Sequence, residues 1–224
     1  MILASFKEVP LLEDILKISP KLRLVLFDMD GTLIDSEHEH ALAVVEVLRR
    51  NTKQPVDAEK VHKMVFGCPD PYSFIELKNK YHLTLTMDEF LEQKHIALEY
   101  VLEKHPKTAD PILKKMQFLI ESIKKHSSLI QMTVVTASER KTATSVLDKN
   151  YSGIFPLYFG REDTVLSKPF PDPYWNAVNI FGKNHGEFTP DEILIFEDSP
   201  YGLAAAMASG LNTIQACWYY RNKK

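Results

Sequence analysis

Apolar residues along this chain fall into short runs separated by helix-like stretches. Residues 21–27 (KLRLVLF) form a run rich in β-formers, the pattern of a strand covered on both faces in a parallel sheet. Residues 132–136 (MTVVT), 156–159 (PLYF), 193–196 (ILIF) and 212–216 (NTIQA) read alike. Helical patterns cover 111–125, 139–149, 173–181 and 200–209, the last stopping at Gly210 as a helix C-cap should. Strand and helix alternate, which predicts an α/β core built on a Rossmann-like, doubly wound parallel sheet.

Residues 36–105 break that rhythm. Helical patterns at 37–50, 58–65, 71–80 and 87–104, with no convincing strand, predict an all-helical cap domain inserted into a core made of residues 1–35 and 106–224. The insert begins directly after the first strand and its loop, so it is expected over the carboxyl ends of the strands, where open α/β sheets bind ligands. Residues 1–20 precede the first strand and are expected to supply a packing helix over 10–18 or a partner contact.

Composition narrows the function classes. A chain of 224 residues that is 45% hydrophobic and 25% charged has ample material for a core. The net charge is -3, and Lys and Arg are scattered, so there is no footprint for nucleic acid. Two cysteines, Cys68 and Cys217, cannot build a multi-bridge framework, and no Cys/His quartet has zinc-finger spacing. The first residues lack a basic start followed by an apolar core, and no stretch approaches the ~18 to 20 apolar residues that span a bilayer. The expectation is a soluble, cytoplasmic protein, a monomer or weak dimer, that binds neither membrane nor nucleic acid.

The chemistry begins at LFDMDGTLIDSE. Asp28 and Asp30 lie two apart at the carboxyl end of the first strand, where alternating side chains let both acids reach one pocket. Like charges that close repel unless something neutralises them, and a hard dication with oxygen ligands does so, which makes Mg2+ the expected cofactor. Gly31 lets the backbone turn sharply and turn its amides toward an anion. Thr136, followed by Ala137 and Ser138, offers a hydroxyl and main-chain amides at a helix start. That is an anion site, although Thr136 or Ser138 taken singly reads equally well as a helix N-cap. Lys168 stands in the proline-stiffened SKPFPDPY, and Glu197-Asp198 closes ILIFED as a second acidic pair.

Together these clusters each fall where an apolar run stops, and their order is informative. Asp28-Met29-Asp30-Gly31-Thr32, Thr136, Lys168 and Glu197-Asp198, with SKPFPDPY and FEDSPYGLAAAMASG, resemble the haloacid dehalogenase superfamily and most of all its β-phosphoglucomutase-like branch. The resemblance covers the chain from about residue 21 onward. It implies a phosphatase in which Asp28 attacks phosphorus to form an aspartyl-phosphate and Asp30 serves as general acid, then as base. It also implies Mg2+ held by Asp28, the backbone carbonyl of Asp30 and Asp198, with Glu197 orienting Lys168 or metal-bound water from outside. Thr136, Ala137 and Lys168 would bind the phosphoryl oxygens. Phosphate-monoester hydrolysis needs accelerations up to about 10²¹-fold. Positioning supplies roughly 7 to 11 kcal/mol of that, so charge stabilisation and a split pathway must supply the remainder.

Substrate choice rests on the insert. Mutase members of the branch carry a Gly-x-Ser-Arg stretch whose arginine grips a second phosphate, and the matching stretch here is Gly67-Cys68-Pro69-Asp70. A charge-assisted phosphate contact is worth roughly 1.5 to 3 kcal/mol, so an acid at Asp70 disfavours a bisphosphate. The expected substrate is therefore a small phosphate monoester, a sugar phosphate or a nucleoside monophosphate, with a phosphosugar mutase as the alternative. His40 falls where the branch often has a histidine near the hinge and active site. Receiver domains also pair acids with Thr and Lys but lack a helical insert of this size. A non-catalytic binding protein would be suspected had Asp28 or Asp30 been replaced, and dehalogenases generally lack the second aspartate.

Overall fold

The computed structural model describes residues 1–104 and 110–219. Its contacts divide the chain into two compact units, Met1–Asp35 with Asp110–Lys224, and Ser36–Ala109. The first unit holds a parallel sheet of strands β1 (Ile2–Phe6), β2 (Leu24–Phe27), β3 (Gln131–Val135), β4 (Tyr158–Phe159), β5 (Ile193–Glu197) and β6 (Asn212–Ala216) in the order β1-β6-β5-β2-β3-β4. Helices α1 (Leu12–Ile18), α6 (Pro111–Lys124), α7 (Arg140–Tyr151), α8 (Asp172–His185) and α9 (Pro200–Ser209) alternate with the strands.

The unbroken apolar runs are explained by burial on both faces of this sheet. Leu24, Leu26, Ile193 and Ile195 pack with Tyr174, Ala177 and Phe181 of α8 and Ala205 and Ala206 of α9. The alternate residues Val25, Phe27, Leu194 and Phe196 are just as buried. There Phe27 stacks on Phe196 at 5.0 Å, and Phe196 lies 6.2 Å from Trp218.

The second unit is helical among its described residues: α2 (Glu37–Asn51), α3 (Ala58–Val65), α4 (Asp70–Tyr81) and α5 (Met87–Lys104). Its core is made by Val44, Val45 and Leu48 of α2, Val61 of α3, Phe74 and Leu77 of α4, and Phe90 and Leu91 of α5. Asp57 caps α3 by accepting from the Glu59 and Lys60 amides, which fixes that start.

Two features depart from the sequence expectation. The sheet has a sixth strand, β1, which pairs in parallel with β6 at the sheet edge. None of its residues is fully buried, as befits a strand with one neighbour, and it stands ahead of the strand–helix alternation that begins at residue 21. Helix α8 runs to His185, past residue 181 and through Gly182, with His185 stacking on Phe181 at 5.8 Å, and stops at Gly186, whose φ is +80°. Among the described residues no helix is long and apolar enough to cross a membrane, and Cys68 and Cys217 are both free.

Helix α1 is as much part of the core as the strands, since Ile15 is fully buried. Ile15→Ala is therefore expected to cost about 2–5 kcal/mol of unfolding free energy, the range for a large-to-small core change. Urea denaturation measures it, and a loss below about 1 kcal/mol would mean that α1 is only loosely attached.

Candidate active site

Parallel register sets the geometry. Phe27 pairs with both Val134 and Phe196, and Val135 with Phe159, so β2, β3 and β5 end almost level. Asp28, Thr136 and Asp198, each the residue after its strand, emerge along one carboxyl edge of the sheet. The Asp28 N–H donates to the Phe196 carbonyl at 2.9 Å, extending the ladder by one residue and holding Asp28 rigidly.

Lys168 reaches this edge from the loop between the 3-10 turn Arg161–Asp163 and α8. Its Nζ donates to Asp28 Oδ1 at 2.6 Å and to Glu197 Oε1 at 2.7 Å, with all three side chains buried. Glu197 is held from every side. Tyr174 OH donates to its Oε1 at 3.3 Å, and its Oε2 accepts from the Ser199 N–H at 2.8 Å and Oγ at 3.2 Å. Ser199 is also the N-cap of α9, accepting from the Gly202 N–H at 3.0 Å. A Cβ on Gly202 would run into the Glu197 carboxylate, so the helix can approach that acid only at a glycine.

Asp198 sits against the turn after β2. Thr32 Oγ1 donates to Asp198 Oδ1 at 3.2 Å, and a Cβ on Gly31 would overlap the same carboxylate. Gly31 has φ +83°, so both backbone conformation and space require glycine there. Trp218 Nε1 donates to the Thr32 carbonyl at 2.9 Å and ties the turn to the chain beyond β6.

Asp30 makes its bonds to the end of β3. Its Oδ2 accepts from Ser138 Oγ at 2.7 Å and, at the long limit of 3.4 Å, from Thr136 Oγ1. The Thr136 hydroxyl in turn accepts from the Ser138 N–H at 3.0 Å. Neither residue caps α7, whose cap position is Glu139. The turn is pinned by Arg161, whose N–H donates to the Ser138 carbonyl at 3.0 Å and whose guanidinium pairs with Glu139 at 2.9 Å.

One buried cation thus stands among several acids. Burial, and next the charge of Glu197, push the Asp28 carboxyl well above the usual range, with Lys168 pulling the other way. Burial alone would lower the Lys168 ammonium, but Asp28 and Glu197 outweigh it and hold Lys168 protonated, well above its ordinary value. Carboxylate oxygens of Asp28, Glu197 and Asp198 lie within 4.8 Å of one another. This is an all-oxygen, buried, net-negative donor set, which suits a hard dication such as Mg2+. Glu197 belongs to the cluster by distance, and Lys168, Tyr174 and Ser199 engage both its oxygens.

Ala137 lies between Thr136 and Ser138 in the turn from β3 to α7, and the remaining sequence-predicted residues lie in the helical unit. His40 is on α2, and the Gly67 N–H donates to Glu37 Oε2 at 3.1 Å. Asp70 opens α4 and forms an ion pair with Lys94 of α5, whose ammonium is largely buried. Asp70 is thus paired from within its own unit. Sequence reasoning assigned no role to Tyr174 or Trp218, and no bond to a carboxylate to Thr32 or Ser138. Tyr174, Thr32 and Ser138 stand inside the motif stretches KPFPDPY, DGT and TAS, yet which hydroxyl meets which carboxylate depends on packing between distant segments.

Comparison with known proteins completes the picture. The sequence profile of the haloacid dehalogenase-like hydrolases matches residues 25–216. A phosphoglycolate phosphatase of Aquifex aeolicus is 28% identical over 202 residues, 89% of this chain and 86% of its own length. A probable pseudouridine-5'-phosphatase of Saccharomyces cerevisiae is 26% identical over 196 residues, 84% of this chain and 80% of its own. In fold, the chain is similar to CbbY of Rhodobacter sphaeroides, solved with xylulose-1,5-bisphosphate, at a TM-score of 0.71 and 20% identity over 91% of this chain and 90% of that one.

Lys168→Met removes the only cation bonded to Asp28 and Glu197 among the described residues. Breaking a buried pair by deleting one partner typically costs about 3–5 kcal/mol, and a loss of that size is expected in denaturant unfolding of the metal-free protein. A loss under about 1 kcal/mol would contradict the burial and pairing described.

Proposed function

The chain belongs to the haloacid dehalogenase-like hydrolase family, and from that premise we propose that it is a Mg2+-dependent phosphatase that hydrolyses a small phosphate monoester through an aspartyl-phosphate. The observation that carries this reading is the Lys168 ammonium bonded at once to Asp28 and Glu197, with Asp198 beside them. The phosphatase names of the relatives support it, since phosphoglycolate and pseudouridine 5'-phosphate are both small phosphate monoesters.

Each residue then has a chemical task. A carboxylate oxygen of Asp28 attacks phosphorus while the bond to the ester oxygen breaks, and Asp30 gives its proton to that leaving oxygen. Asp30 next takes a proton from water as the water attacks phosphorus, releasing inorganic phosphate and restoring Asp28. The Ser138 hydroxyl on Asp30 Oδ2 aims its carboxyl for both transfers. Lys168 spends two of its three N–H donors on Asp28 and Glu197, and the third, with the Thr136 hydroxyl and the Ala137 N–H, is assigned to the phosphoryl oxygens. Asp28, Asp198 and the Asp30 carbonyl would hold Mg2+, which would supply the positive charge that lets an anionic nucleophile meet an anionic phosphate.

The test is phosphate release across sugar monophosphates, nucleoside monophosphates, pseudouridine 5'-phosphate and phosphoglycolate, with Mg2+ and with chelator. Turnover of one class is expected, and it is lost on chelation. Asp28→Asn should lower kcat by at least about 10³-fold, and Asp30→Asn by about 10²–10⁴-fold, the usual worth of general acid–base catalysis. Release that survives in Asp28→Asn would overturn the assignment.

A further inference from the structure

Tyr174 has no part in the chemistry above, yet its surroundings assign it one. It lies on the first turn of α8, six residues after Lys168, and its side chain is fully buried. Its hydroxyl donates to Glu197 Oε1 at 3.3 Å, the same oxygen that receives Lys168 at 2.7 Å. Its ring lies under the lysine, with Nζ 5.1 Å from the ring centroid, inside the range of a cation–π contact. One side chain therefore touches both members of the Lys168–Glu197 pair, by hydroxyl and by ring face.

We propose that Tyr174 is a positioning residue that fixes the Lys168 ammonium between Asp28 and Glu197. A lysine ends in a flexible four-carbon stem, and holding its ammonium still takes more than one carboxylate. Ser199 and the absent side chain at Gly202 immobilise Glu197 from the α9 side, and Tyr174 does so from the α8 side. The ring also covers the ammonium where water would otherwise solvate it. The hydroxyl sets where the charge sits, and the ring keeps it dry. The role in turnover rests on the phosphatase reading; the immobilisation of Lys168 does not.

The experiment compares wild type, Tyr174→Phe, Tyr174→Leu and, as a control, Val178→Ala, which trims a buried side chain from the same helix. Two readouts are taken on the full chain: kcat and KM for p-nitrophenyl phosphate with Mg2+, and the rate of Lys168 acylation by an N-hydroxysuccinimide ester in metal-free protein, followed by peptide mass mapping. Tyr174→Phe is expected to lower kcat about ten- to hundredfold with KM nearly unchanged, as a small misplacement of a catalytic group does. Tyr174→Leu, which loses the ring as well, falls further. Lys168 is acylated several-fold faster in both, while Val178→Ala loses stability without changing either readout. Equal Lys168 acylation in wild type and Tyr174→Phe overturns the proposal whatever the turnover. If wild type releases no phosphate and Tyr174→Phe still unmasks Lys168, the positioning role stands and the phosphatase reading fails.

Discussion

A single buried ammonium is the constraint on which this site depends. Lys168 is 2% exposed and bonded to two carboxylates that are themselves buried. Taking three charges out of water is costly, and their attraction offsets that cost only where geometry is good and the remaining hydrogen-bonding capacity is satisfied. The protein meets this condition through Tyr174 and Ser199 on Glu197, and through the Phe196 carbonyl behind the Asp28 amide. Asp198 lies within 4.8 Å of both carboxylates and adds its acidic group to the same buried cluster.

The same constraint explains local sequence choices that would otherwise look arbitrary. Gly31 and Gly202 are the two places where backbone comes closest to the acids, and a methyl group at either would displace a carboxylate. Ser199 joins two tasks, capping α9 and bonding Glu197, so the helix start and the acid are placed by one residue. Trp218 holds the Thr32 carbonyl, which steadies the turn that presents Asp198 with its Thr32 hydroxyl. Packing, capping and charge placement are one problem at this edge of the sheet.

Much of the fold was legible because its signals are local. Short runs rich in β-formers marked β2, β3, β5 and β6, and α3, α5 and α9 begin and end where caps and periodicity put them. Strand β1 was not legible, because it stands ahead of the strand–helix alternation and, at the sheet edge, buries none of its residues fully. In the site, the motif residues of the first unit do converge on one edge, since parallel register brings strand ends together. The pairings among them were hidden. Lys168 and Asp28 are 140 residues apart, Ser138 and Asp30 108, and nothing local in either segment encodes that a hydroxyl or an ammonium will complete the other. Tyr174 illustrates the limit: helical pattern marks it as a core residue, and only its neighbours show that its hydroxyl has an acid to hold. Asp70 is a similar case, because its pairing with Lys94 turns an apparently repulsive acid into a neutral pair.

The proposed mechanism requires Asp28 to carry the phosphoryl group. The most direct measurement uses Asp30→Asn, in which hydrolysis of the acyl phosphate is slowed, mixed with a turned-over monoester and Mg2+, quenched in acid and mapped by peptide mass. A phosphoryl group on the peptide containing Asp28, absent when Asp28 is also replaced by Asn, is the predicted result. Phosphate released at full rate with no phosphorylated peptide, or a phosphoryl group on any other residue, would contradict the account.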